Sequence, residues 1–420
     1  MGFASTYLKE RTLFPELIKE APDKNTGLII VVPSCNEPGI ATMLDSLAMC
    51  MEPDCKAEVI IVINGPETSD PGCRKVNINT ILSIEGWKKK NSSCFFRLYV
   101  IDADSSGIKD WGVGLARKTG MDEAIRRFDF LNRPEGIILN LDADCTVDRN
   151  YFRIVFDEMS GRKERSACSL YFEHPLTGNE FQVSVYRAIA LYELHLRYYF
   201  QGLFFSGFPN VHHTVGSAVA VKALAYVKAG GMNRRMAGED FYFIQKLVSA
   251  GGYFNLNKTT VYPSPRPSVR VPFGTGATIF RMTHSVKEEF MTYNVSAFHE
   301  LKILFSLTET LFFPDSSSDN HLYSKLPYGI RLFIDSEAWD RKISEIRENT
   351  AGLKSFEKRF FDWFNMFRIV KYMNMVHSGF LEKRPVIESA SELLKAMGHD
   401  INSHDPIKIL EYFRKLEKES

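Results

Sequence analysis

Four apolar runs, each ending at polar or turn-forming residues, constrain this chain more than any other feature. The first, from Gly27, breaks at Pro33 and leads into Asn36 and Glu37; a helical pattern follows from Ile40 to Met49. The second, Glu58 to Asn64, breaks at Gly65 and Pro66. The third, Phe95 to Ile101, precedes Gly107 and a glycine-rich turn that enters a helix across Gly112 to Ala124. The fourth, Gly136 to Leu141, runs into Asp142 and Asp144. Buried-strand runs alternating with helical segments predict parallel βαβ units. Ligands on such sheets bind at the carboxyl ends of the strands, where Asn36, Glu37, Asn64, Gly65, Asp142 and Asp144 all fall.

Asp142 and Asp144 are spaced i and i+2, so an extended backbone carries both side chains on one side. Two carboxylates at a strand end make a hard, oxygen-rich site suited to Mg²⁺ or Mn²⁺. Such ions keep several waters and take further ligands from a substrate diphosphate, which points to chemistry on a nucleotide diphosphate. Taken alone, Asp-x-Asp also suits an ordinary loop cap or Asx-turn.

With Pro33 to Glu37, the polar turn after Ile63, Ala116-Arg117 with Gly120, and Asp142-Ala-Asp144 in this order, the chain resembles the family-two glycosyltransferases. Downstream, Gly216 to Val221, the Gly230-Gly231 turn and Gly238-Glu239-Asp240 are similar to the family's acceptor half. The resemblance covers roughly Thr26 to Gly276 and rests on the ordered set rather than on one motif. It implies the GT-A fold, a Rossmann-like mixed sheet flanked by helices. It implies an inverting hexosyl transfer from a UDP- or GDP-linked sugar with a divalent metal. Asp144 is then the first metal ligand, Asp142 binds metal or ribose, and a late histidine, His284, completes the metal shell. Asp240 is the catalytic base, and Glu239 orients it or binds the acceptor. Pro33, Asn36, Glu37, Asn64, Arg117 and Asp142 bind the nucleotide sugar. Three positions depart from the family: Asn64-Gly65-Pro66-Glu67 replaces an Asp-rich turn, Lys118 stands where Asn often follows the Arg, and Cys145 replaces a third acidic residue.

From Tyr262 to Gly276 the chain is rich in proline, which stiffens it, and carries Arg266 and Arg270. Fixed guanidinium groups suit a phosphate, and the turn at Gly274 to Gly276 could offer backbone N–H groups to an anion. A structural loop with solvated arginines is the alternative. The segment Val183 to Phe208 is rich in Leu, Tyr and Phe, but Arg187, Glu193, His195 and Arg197 interrupt it. A spanning helix tolerates such charges poorly, so it reads as a packed helix, with an interfacial helix touching a lipid-linked acceptor as the alternative.

A chain of 420 residues with a formal net charge of +1 has room for two domains and no signal for nucleic acid. Its seven cysteines are odd in number and lack Cys-x-x-Cys spacing, which argues against a disulfide framework and for a reducing cytoplasm. Met1 to Lys24 lacks the apolar core of a signal peptide. The expected organisation is an extension over 1–25 and a GT-A catalytic domain over 26–280. That domain comprises a nucleotide-binding half at 26–145 and an acceptor half at 146–280. An all-helical region follows at 281–420, its helical patterns covering Val286 to Phe313, Glu337 to Asn349, Phe356 to Met375, Val386 to Met397 and Ile407 to Lys418. The acceptor is expected to be a carbohydrate, a lipid-linked molecule or a small molecule, with cytoplasmic location or peripheral contact with the inner membrane face. Two other functions fit the same residues: a retaining transferase making a small solute such as a glycosylglycerate, and a nucleotide-sugar-binding protein without turnover.

Overall fold

The computed structural model describes residues 2–65, 71–103, 112–234, 238–270, 274–285, 289–313, 322–399, 401 and 403–419. Gly107, Pro66 and Glu67, singled out above, lie outside them. The chain forms two compact units: residues 1–182 with 214–280, and residues 183–213 with 281–419.

The first unit is built on an eight-stranded sheet. Its strands are β1 (Thr26–Ser34), β2 (Lys56–Ile63), β3 (Phe96–Asp102), β4 (Ile137–Asn140), β5 (Thr146–Val147), β6 (Ala167–Phe172), β7 (Val219–Lys222) and β8 (Tyr253–Tyr262), in the order β3-β2-β1-β4-β7-β6-β8-β5. β3, β2, β1 and β4 run parallel. β7 enters antiparallel between β4 and β6, β8 lies parallel to β6, and β5 closes the edge antiparallel to β8. The fold class expected from the sequence is therefore present: a parallel half continued as a mixed sheet, flanked by helices, with a helical C-terminal region.

Burial explains the residue patterns. β1 has strands on both sides and is buried at every position, so its centre, Leu28 to Val32, is wholly apolar. β3 is an edge strand and exposes Arg97 and Asp102. The helix Val113–Phe130 crosses β1 and β2 closely at Gly120, where a Cβ would sit 2.4 Å from Val31 Cγ1.

That same helix carries an unusual row of buried or half-buried polar groups, and residues 4–20 satisfy them. Lys118 pairs with Asp122 at 2.8 Å, and the Tyr7 hydroxyl donates to Asp122 at 2.7 Å. Glu123 accepts from the backbone N–H groups of Leu17 and Ile18, at 3.2 and 3.0 Å. Arg126 donates to Thr12 Oγ1 at 2.9 Å, Arg127 to the Glu20 carbonyl at 2.8 Å, and Asp129 accepts from Ala4 N–H at 2.7 Å. Ala4, Tyr7 and Ile18 join the apolar core beneath. Lys118, the departure from the family pattern, belongs to this brace.

The second unit packs the helix Val183–Phe205 with the helices Val295–Ser306, Val386–Ala396 and Pro406–Glu419. Glu193 and Arg197, charges that interrupted the apolar run, are fully buried and paired. Arg197 also donates to Glu417, and Arg414 donates to both Glu193 oxygens at 2.8 Å. Among the described residues no helix is long and apolar enough to cross a membrane.

Three expectations in this region need correction. It is not wholly helical, because Met291–Thr292 pairs antiparallel with Arg384–Pro385. The pattern from Val286 to Phe313, whose first residues lie outside those described, holds two helices, Val295–Ser306 and Thr308–Phe312; the first starts only at Val295 because Asn294 caps it by accepting from Ser296 N–H. The pattern from Phe356 to Met375 likewise divides into Leu353–Trp363 and Met366–Gly379, because Asn365 accepts from the N–H groups of Phe367 and Arg368. Of the aromatic stripe Phe360, Phe361, Trp363, Phe364 and Phe367, which reads from the sequence as core, Phe360 and Phe364 are fully buried and the other three half-buried.

Candidate active site

The carboxyl ends of the parallel strands meet at one edge of the sheet. Ser34 pairs with Ile63, and Asn140 with Val31, so the turns after β1, β2 and β4 are neighbours. Pro33 lies beyond the last pair with β4. Asn36 sits at φ +51°, a conformation that asparagine tolerates better than most residues. Its N–H donates to Asn77 Oδ1 at 2.9 Å, and Asn77 Nδ2 donates to the Asn64 carbonyl at 3.2 Å. Asn77, on the helix Pro71–Lys90, thereby pins the turn after β1 to the turn after β2. Thr80, one turn on, donates to the Glu37 carbonyl at 2.9 Å. The sequence reading missed both. Their signal is two polar residues on the helix's buried stripe with Ile84 and Trp87.

Glu37 is buried, and its charge is answered by the proline-rich segment. Arg266 binds it through both guanidinium nitrogens, and Arg270 Nη1 lies 3.6 Å from Oε2. Arg270 also donates to the Cys35 carbonyl at 2.6 Å. Arg266 Nη2 is 3.6 Å from Asp144 Oδ2. Both arginines are thus gathered at the strand ends rather than solvated at random. Burial, then the like charges of Asp142 and Glu37, push the Asp144 carboxyl up to about 6 against the pull of the two arginines.

Arg117 stands at the centre. It projects from the first turns of the helix Val113–Phe130 and is almost fully buried. One guanidinium nitrogen donates to Glu239, the other to Asp142 Oδ1 at 2.6 Å. Burial alone would lower its pKa; Asp142, Glu239 and Asp240 outweigh that and raise it. Gly216 makes room for the group, since a Cβ there would lie 2.4 Å from Arg117 Nη1 and 2.7 Å from Cζ.

Gly238, at φ +73°, turns the chain into the helix Glu239–Ala250, and no side chain caps that helix. Asp240 is therefore the second helical residue, not the cap. Its Oδ1 accepts from Phe241 N–H at 2.7 Å. Burial and the adjacent Glu239 charge push its carboxyl up to about 6, with Arg117 opposing and Asp142 adding to the rise. The side chains of Asp142 and Asp144 keep 36 % and 26 % of their surface, whereas Glu239 keeps 2 %. The two aspartates can meet a ligand; Glu239 can act only through its neighbours.

The structure thus brings Glu37, Asp142, Asp144, Glu239, Asp240, Arg117, Arg266 and Arg270 into one interconnected cluster, with Asn36 and Asn64 at its rim. Five carboxylates face three guanidinium groups, an excess of two negative charges when all are ionised. That excess fits a divalent cation. Among the described residues no group of three His, Cys, Asp or Glu side chains forms a complete metal cage. The donor set therefore suits a cation that keeps waters and takes oxygens from a diphosphate. Cys145 is buried, its thiol pushed well up by burial and then by Asp144, and a soft sulfur does not suit a hard divalent cation. His284 falls in the second unit, just after the helix Thr275–Thr283, with Nδ1 3.3 Å from Thr283 Oγ1.

No protein-family model and no curated protein matches this chain. Solved structures that it resembles include Staphylococcus aureus TarS 1–349 in complex with UDP-GlcNAc, at 12% identity and TM-score 0.39, covering 81% of this chain and 93% of that one. The mannosyltransferase PcManGT from Pyrobaculum calidifontis, in complex with GDP-Man and Mn²⁺, matches at 12% identity and TM-score 0.34, covering 99% and 92%. Glucosyl-3-phosphoglycerate synthase from Mycobacterium tuberculosis, with Mn²⁺, UDP and glucosyl-3-phosphoglycerate, matches at 14% identity and TM-score 0.34, covering 66% and 80%. At these values the likeness is one of general architecture, and the fold is read from the strand order itself.

Proposed function

We propose that this chain is a divalent-metal-dependent GT-A glycosyltransferase that moves a sugar from a UDP- or GDP-linked donor to an acceptor hydroxyl with inversion. The observation that carries this reading is the joint hold of Arg117 on Asp142 and Glu239. It sets the Asp-x-Asp turn and the Gly-Glu-Asp turn, distant in sequence, side by side. A transferase needs these two chemistries adjacent: one carboxylate pair for the leaving diphosphate, another carboxylate for the attacking hydroxyl.

Asp144 and Asp142 hold Mn²⁺ or Mg²⁺, which when bound supplies Lewis-acid neutralisation of the diphosphate. Asn36, Asn64 and the Glu37 turn receive the nucleoside, with Pro33 fixing the strand end. Arg266 and Arg270 exchange their hold on Glu37 for the phosphate oxygens. Asp240 accepts the acceptor's proton as its oxygen attacks C1 from the face opposite the diphosphate. The bond between C1 and the diphosphate oxygen breaks, and the proton remains on Asp240. The acceptor is a carbohydrate, lipid-linked or small-molecule hydroxyl.

Calorimetry with UDP and GDP, in Mn²⁺ and in EDTA, tests the metal. Binding of one nucleotide that weakens at least tenfold on chelation is expected; equal affinity in both conditions sinks the metal assignment. Hydrolysis of the cognate sugar nucleotide separates a transferase from a binding protein, and the anomer of the product separates inversion from retention.

A further inference from the structure

Arg117 has no surface to offer a ligand, yet it is the only side chain that touches both carboxylate motifs among the contacts described for the site. Resting on the transferase reading, we propose that Arg117 is a positioning residue that sets the donor-side Asp142 and the acceptor-side Glu239 in one frame, and that Gly216 is the specific vacancy that lets it do so.

Three observations support this. First, the two contacts use different nitrogens of one planar group, so the guanidinium fixes an orientation as well as a charge. A lysine at this position keeps the charge but has a single nitrogen and cannot reproduce the planar fork. Second, Glu239 precedes Asp240 on the first turn of a helix, so holding Glu239 holds the start of the helix that carries the proposed base. Third, the Gly216 backbone lies against the guanidinium itself, with Nη1, Cζ and Nη2 all within 2.8 Å of a notional Cβ. Gly216 is not in the left-handed region, so alanine is allowed there by the backbone and excluded only by Arg117.

Gly216→Ala therefore shifts Arg117 without altering any charge in the site. The expected result is a lowered melting temperature, because the shifted guanidinium loosens two ion pairs, together with, per folded molecule, a three- to tenfold weaker nucleotide affinity through Asp142 and a fall in kcat of tenfold or more through the Glu239–Asp240 turn. Arg117→Lys should show the same double signature. A purely structural role predicts the lowered melting temperature alone, with kcat and KM per folded molecule unchanged. Wild-type affinity and kcat in Gly216→Ala, or full recovery of both in Arg117→Lys, overturns the proposal. A third measurement needs no substrate: denaturant unfolding of Asp142→Asn, Glu239→Gln and the double variant. Non-additive stability is expected, because the two residues share one guanidinium; additive values overturn the link. If the wild type turns over no sugar nucleotide, the transferase reading fails and the positioning role in transfer fails with it. The unfolding cycle then shows separately whether the tie exists.

Discussion

Burial and the neighbouring Glu239 charge push the Asp240 carboxyl up to about 6, which gives the base assignment a pH signature. A carboxyl with that pKa is about nine-tenths ionised at pH 7 and about one-tenth ionised at pH 5. If Asp240 takes the acceptor's proton, kcat/KM, which reports groups of the free protein, should fall at least about tenfold between those pH values. Asp144, raised into the same range, adds to that fall, and kcat keeps an acid limb set by Asp240 in the loaded site. Asp240→Asn removes the proton acceptor and keeps the shape. It should lower kcat by about 100-fold or more and flatten the acid limb. Stability should move the other way. The folded-state carboxyl is raised above its ordinary 3.8, so its ionisation opposes folding. Its contribution is most favourable below 3.8 and is lost as pH rises through about 6. At pH 7 the asparagine variant escapes that cost and should be more stable by up to about 3 kcal/mol, the equivalent of two pKa units. The assay is a pH series of initial rates with matched denaturant unfolding. A wild-type kcat/KM that stays flat to pH 5, or an acid limb of kcat retained in Asp240→Asn, refutes the assignment.

Three further outcomes follow from the same geometry. Arg266→Ala strands the buried Glu37 carboxylate and should cost about 2–4 kcal/mol in urea unfolding while weakening diphosphate binding; unchanged values for both would return the segment to a solvated loop. Glu417→Gln leaves the buried Arg197 short of one partner and should cost about 3 kcal/mol of stability, with nucleotide affinity measured by calorimetry unaffected. Asp144→Asn should abolish the difference between Mn²⁺ and EDTA in nucleotide binding without lowering the melting temperature, because its charge is held against burial and two like charges; a retained metal effect would move the ligand role elsewhere.

The parallel half was legible because its inner strands, β2, β1 and β4, are buried on both faces and so carry long apolar runs. β1, β2 and β4 announce themselves, and their ends place Glu37, Asn64, Asp142 and Asp144 without further information. The antiparallel half was not legible as strands. β5 and β7 are too short for a period to show, and β8 carries Asn255, Asn257 and Lys258 within it. Such strands are defined by partners elsewhere in the chain. In the second unit, Asn365 reads as one more helical residue until its side chain is seen turned back on the next helix. The site divides in the same way. Single residues with strong chemistry were found, whereas pairings between distant segments were not: Arg266 with Glu37, Asn77 with two separate turns, Arg117 with Gly216. No period or local motif encodes these.

The brace of residues 4–20 along the helix Val113–Phe130 bears on how this protein can be handled. That helix bears Arg117 at one end, and its flank is wired to the opening residues through Lys118, Asp122, Glu123, Arg126, Arg127 and Asp129. A chain trimmed to start at Thr26 would look complete on a strand diagram, yet it would strip the flank of its hydrogen-bond partners. Even a point change is felt there, because Gly2 lies so near Asp129 that a Cβ on it would be 2.2 Å from the carboxylate, the group that accepts from Ala4 N–H.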